Sequence, residues 1–132
     1  MSEFYTFNGK IDYRSDGWII VLAPNSIVNY YKSVIEKLIW KKLTTPIRGG
    51  HLTLLPAKHN GDFRNHPNWK KHHGEIVECR YSPIIYSEKI YGPNRYFWLK
   101  CECGIIPVIR KEFGLNPNLL WPIHLTVAYL GY

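Results

Sequence analysis

The sequence predicts an α+β fold built from two similar lobes of antiparallel sheet. Three observations carry that expectation. Runs of strand length, alternating or wholly apolar, recur along the chain. Two stretches, near 27–43 and 106–115, place apolar side chains at helical spacing instead. The tripeptide His-Leu-Thr stands twice, at 51–53 and 124–126, each time inside an apolar run that follows a helical stretch.

Taken in order, "GWIIVLAP" (17–24) is an apolar run of strand length stopped by Pro24. Asn25 or Ser26 then offers a helix N-cap. Ile27, Tyr31, Val34, Ile35 and Leu38 follow helical spacing through 27–43, and Lys37, Lys41 and Lys42 gather where the helix dipole favours cations. Thr44-Thr45-Pro46 closes this helix, and Gly49-Gly50 leads into the strand "HLTLL", ended by Pro56. Residues 57–74, "AKHNGDFRNHPNWKKHHG", are polar, basic and rich in histidine, with no period, and read as a long loop. "EIVECRYSPIIY" (75–86) alternates as a strand does. The Gly-Pro-Asn turn at 92–94 makes a hairpin toward "RYFWLKCEC" (95–103). "IPVIRKEFGL" (106–115) reads as a short helix, with Pro107 in its first turn and Gly114 at its stop. "WPIHLTVAYL" (121–130) is the last strand. Each half thus runs strand, helix, His-Leu-Thr strand. The expectation is one domain over 1–132, with a first lobe at about 15–56, a second at 75–132 and the loop 57–74 between them.

Length and composition narrow the function. A chain of 132 residues suits one domain with one core, and 45% apolar residues suit folding over disorder. A net charge of +7 favours phosphate-bearing partners, and 15% aromatic residues leave rings over for stacking. No apolar run approaches the roughly 18 residues of a membrane span. The start, "MSEFYTFNGK", lacks the basic-then-apolar order of a signal peptide. A soluble, cytoplasmic protein without a membrane partner is expected. Cys79, Cys101 and Cys103 cannot complete a disulfide set, so reduced thiols are expected. No Cys-x-x-Cys occurs and His72-His73 has no third ligand at standard spacing, so neither metal nor cofactor is expected.

Strand alternation gives the repeated tripeptide its chemistry. On a strand the His and Thr of each copy share a face, roughly 7 Å apart, while the flanking Leu or Val side chains point into a core. Breaking a phosphodiester needs a base for the attacking oxygen and an acid for the leaving oxygen. Imidazole, with a pKa of about 6.5, suits both. Threonine hydroxyls can donate to the non-bridging phosphate oxygens. The expected catalytic set is His51, Thr53, His124 and Thr126, with no metal required.

His51-Leu52-Thr53 and His124-Leu125-Thr126 resemble the paired H-x-[ST] motifs of the two-histidine (2H) phosphoesterase superfamily. The resemblance covers the chain in element order and rests residue by residue on the two motifs. It implies a bilobal α+β fold with a pseudo-twofold axis through a central cleft, helices outside. "NWKKHHGEIVECRYSPIIY", "YFWLKCECGIIPVIRKEFGL" and "PIHLTVAYLG" are similar to phage-encoded RNA-repair-like 2H proteins, a group that includes the anti-CBASS phosphodiesterases. What this implies is metal-independent cleavage of 3′–5′ linkages in cyclic di- and trinucleotide messengers, in the host bacterial cytoplasm. Bacterial CBASS immunity would thereby be antagonised. The alternatives are an RNA 2′,3′-cyclic phosphodiesterase acting on RNA ends, or a sponge that binds cyclic nucleotides without cleaving them. Tyr13, Trp69 and Trp121 are candidates to stack on bases, and Arg48, Lys71 and His73 to meet phosphate. Trp18, at the head of an apolar strand, and Tyr129, opposite in parity to His124, read as core. The 57–74 loop, if it covers the cleft, would be a lid excluding water.

Overall fold

Two periods of apolar side chains, two residues and roughly 3.6, divide the chain into six strands and two helices. The computed structural model describes residues 3–47, 49–56, 62–118 and 122–131. In chain order the elements are β1 (Tyr5–Tyr13), β2 (Ile19–Leu22), α1 (Asn25–Ile39), β3 (His51–Leu55), β4 (Ile76–Tyr91), β5 (Asn94–Glu102), α2 (Ile105–Glu112) and β6 (His124–Leu130). All six strands join one antiparallel sheet in the order β3-β2-β1-β4-β5-β6.

The order is symmetric about the β1–β4 pairing. Each half runs strand, strand, helix, strand, and the two His-Leu-Thr strands are the outermost strands of the sheet. β1 has no counterpart in the sequence expectation. Its buried positions Phe7, Gly9, Ile11 and Tyr13 keep strict alternation, with exposed residues between most of them. Gly9 lacks a side chain because a Cβ there would run into the Val21 side chain.

One apolar cluster lies under the sheet. Leu52 and Leu54 of β3, Leu125 and Val127 of β6, Val28, Tyr31 and Ile35 of α1, and Ile106 and Ile109 of α2 all belong to it. The helices cross between halves: α1 packs near β6 and α2 near β3. Three details of α1 differ from expectation. It starts after Pro24 with no side-chain cap; Asn25 Oδ1 instead accepts the Gly50 N–H at 3.3 Å, tying the helix start to the approach of β3. It ends at Ile39, where Trp40 turns left-handed, so Lys41 and Lys42 lie beyond it. Leu38, expected inside, lies within the helix but is 71% exposed.

Residues 62–74 form successive turns, with neither helix nor strand, as the missing period predicts. Phe63 and Trp69 pack on the core, and Asn68 Nδ2 donates to the Glu112 carbonyl at 2.9 Å. Residues 57–61 of the expected loop lie outside the described residues. The β4–β5 hairpin closes through Gly92-Pro93 between the paired Tyr91 and Asn94, with Gly92 supplying φ 56° at the first central position. Cys79, Cys101 and Cys103 are buried free thiols. No described helix is long and apolar enough to cross a membrane.

Candidate active site

β3 and β6 are at opposite ends of the sheet order, yet they come within 8 Å of each other between Cα atoms. The sheet therefore curls, and the face away from the core becomes a cleft. His51, Thr53, His124 and Thr126 line it together with Trp18, Thr44, Thr45, Pro46, Ile47 and Tyr129, around a space of about 670 Å³. That size suits a small ligand. All four residues of the repeated motif thus meet in one place.

Both motif strands carry the same irregularity. Ile19 pairs Leu55 and Ile20 pairs Thr53, so Leu54 is an extra residue in β3. Phe97 pairs Ala128 and Trp98 pairs Thr126, so Val127 is an extra residue in β6. Each bulge falls directly after the motif threonine. A bulge shifts the side-chain alternation by one. Beyond it Tyr129 pairs Tyr96 and returns to the His124 face, where it lines the cleft. Strand parity alone would put Tyr129 in the core, but the bulge breaks the regular strand that parity assumes, and Tyr129 lines the cleft instead. Trp18, also expected in the core, is half-buried and lines the cleft, two residues before Ile20, the partner of Thr53.

The two imidazoles are held alike. His51 Nδ1 lies 3.2 Å from the Gly49 carbonyl, and His124 Nδ1 lies 3.3 Å from the Pro122 carbonyl, each two residues back along its own chain. A carbonyl oxygen only accepts, so Nδ1 carries the proton in both rings. In the neutral imidazole the basic nitrogen is then Nε2. Gly49 can present its carbonyl this way because it turns at φ 69°.

The edge strands are braced from the opposite halves. Arg110, buried in α2, donates from Nη1 to the Leu54 carbonyl of the β3 bulge at 3.1 Å and from Nε to Asn116 O at 2.8 Å. Burial lowers its pKa. On the other side Thr44, from the chain after α1, exchanges two backbone hydrogen bonds with Tyr129 of β6, at 2.8 and 2.9 Å.

The neighbours of His124 on the sheet are aromatic. Tyr86, Trp98 and Thr126 stand in one cross-strand row. Tyr86 stacks on Trp98 at 4.7 Å and 20°, and Trp98 meets His124 edge-on at 5.6 Å. Tyr96 lies 6.4 Å from both His124 and Tyr129. Lys100 stands directly opposite His124. Tyr86, Tyr96, Trp98 and Lys100 are not among the residues the sequence motifs point to, although Tyr96, Trp98 and Lys100 alternate along β5.

The expected binding residues fare differently. Tyr13, Trp69, Lys71 and His73 do not line the cleft. Tyr13 is buried, with Trp69 edge-on at 5.1 Å, and burial pushes its phenol up to about 12. His73 Nδ1 accepts the Tyr13 N–H at 3.1 Å, and Lys71 pairs with Glu112 at 3.3 Å. Alongside them His72 joins Glu75 at 2.8 Å and Glu112 at 2.9 Å. Residues 62–74 of the segment expected as a lid are thus fastened to α2 and the end of β1 by Asn68, Trp69, Lys71, His72 and His73. Arg48 and Trp121 lie outside the described residues. Among the described residues, no three His, Cys, Asp or Glu side chains are grouped to hold a metal ion.

No family model, curated protein or solved structure matches this chain.

Proposed function

We propose that the chain is a phosphodiesterase of the two-histidine type, acting on cyclic di- and trinucleotide messengers and so antagonising CBASS immunity. The observation that carries the reading is the pair of imidazoles in one cleft. Each has its Nδ1 proton committed to a backbone carbonyl, and each has a threonine two residues on. The bilobal 2H architecture belongs to the same proposal. It is supported by the repeated element order, the matched bulges and the edge positions of both motifs.

The chemistry follows from the tautomer. Nε2 of one neutral imidazole takes the proton of a ribose 2′-hydroxyl. That oxygen attacks the adjacent phosphorus, the bond from phosphorus to the 5′ oxygen breaks, and the imidazolium of the other histidine returns a proton to it. The product carries a 2′,3′-cyclic phosphate. Thr53 and Thr126 donate to the non-bridging oxygens, and Lys100 adds a cation beside His124. Tyr129 lines the cleft and offers a face for a base, and the stacked Tyr86–Trp98 pair stands beside His124.

The test is chromatography of products from cyclic di- and trinucleotides incubated in EDTA, beside RNA ending in a 2′,3′-cyclic phosphate. Opening of the cyclic nucleotides supports the reading. Turnover of the RNA ends alone would move the substrate to RNA. Full recovery of intact cyclic nucleotide after denaturing the protein would make the chain a sponge.

A further inference from the structure

Trp40 is 91% exposed, so its indole contributes almost nothing to the core. It also holds the left-handed conformation at the end of α1, φ 57° and ψ 39°, a place that favours glycine or asparagine. A large ring at this site therefore carries a conformational cost without a packing return. Around it, Ser33, Glu36, Lys37, Lys41 and Lys42 line an open depression of about 440 Å³. Its one carboxylate, on Glu36, accepts the Leu43 N–H at 2.7 Å. Three ammonium groups against this one carboxylate leave the depression net positive beside an outward-facing indole.

We propose that Trp40, Lys37, Lys41 and Lys42 form a binding site for single-stranded nucleic acid, with a base stacked on Trp40 and phosphates on the lysines. Stacking on an aromatic face and backbone tracking by cations are the two parts of sequence-independent strand binding. Charge complementarity favours a polyanion, and the flat exposed ring favours one that carries bases. The site is placed to hold a strand that also enters the cleft. Thr44 is four positions on from Trp40, so their Cα atoms lie within roughly 14 Å, and Thr44 to Ile47 line the cleft. The proposal stands independently of the cleft chemistry.

The test is binding of a labelled oligothymidylate of about twelve nucleotides, within the usual range for such surfaces. The probe lacks the 2′-hydroxyl, so its binding is read without cleavage. Trp40→Ala is expected to weaken binding about 5- to 150-fold, with Trp40→Phe recovering most of it. Changing Lys37, Lys41 and Lys42 together to Gln is expected to flatten the slope of log affinity against log salt by about two. Thermal melts of each variant report whether the fold is kept. Unchanged affinity in a folded Trp40→Ala, or an unchanged salt slope in the triple variant, overturns the proposal. So does binding to anionic phospholipid vesicles with none to the oligonucleotide.

Discussion

In the first half His51 is followed by Thr53 and a bulge at Leu54; in the second His124 is followed by Thr126 and a bulge at Val127. Each ring is oriented by the carbonyl two residues before it. The surroundings of the two motifs differ. His124 stands among Tyr96, Trp98 and Lys100, while the strand beside His51 supplies Leu22 opposite it. The bracing differs too: β3 is held by an arginine side chain and β6 by backbone bonds. The difference separates two tasks. On the proposed function, what repeats is the geometry that would move protons, and what does not repeat is what would distinguish one ligand from another.

On the proposed function, the repeated part should show the largest effects. His51→Ala and His124→Ala are each expected to cut cleavage by about 10²- to 10⁴-fold, and the double variant by less than the product of the two. Initial rates on a cyclic dinucleotide measure this. Unequal single effects would reveal how far the asymmetric surroundings divide the acid and base roles.

Arg110→Met breaks the brace of one half only. It leaves the Leu54 and Asn116 carbonyls without their donor, at about 1–3 kcal/mol each, read from a denaturant midpoint. A stability equal to the parent would remove Arg110 from the account of β3.

Trp98→Ala probes what the first half lacks. Loss of a stacking face is expected to raise KM by about 5- to 150-fold with a smaller change in kcat. A fall confined to kcat would instead place Trp98 in the orientation of His124.

The smallest expected effect lies in the packed segment between the halves. Burial pulls the His72 pKa down, but its hydrogen bonds to the Glu112 and Glu75 carboxylates and their charge outweigh it, and the net shift is upward from 6.5. A raised histidine pKa stabilises the fold fully below 6.5, and the gain is lost as pH rises through the folded value. The parent should therefore lose denaturant resistance over that window. His72→Gln should flatten this dependence while leaving the pH profile of cleavage alone.

Much of this was legible in the sequence. Alternation placed each His and Thr on one face, and the repeat placed the two strands as equivalents. Glycine and proline signals located the α2 stop and the β4–β5 turn. Tyr129 was not legible, because a bulge leaves no composition signal and reverses parity without changing a residue. β1 was missed because its alternation is diluted by Gly9 and by polar neighbours. Trp69 looks like a ligand face in the sequence because a polar, unperiodic stretch gives no hint that it folds back on the core, and Tyr13 does so because the strand that buries it is itself hard to read. The cleft itself depends on the curl that brings two edge strands together, a property of the whole sheet.

The central claim is that two equivalent imidazoles form one acid–base site. Its most direct measurement compares parent and His51→Ala/His124→Ala on a cyclic dinucleotide in EDTA, with products separated by chromatography. The account predicts ring opening by the parent and intact ligand with the folded double variant. Ring opening at the parental rate by the double variant would contradict it.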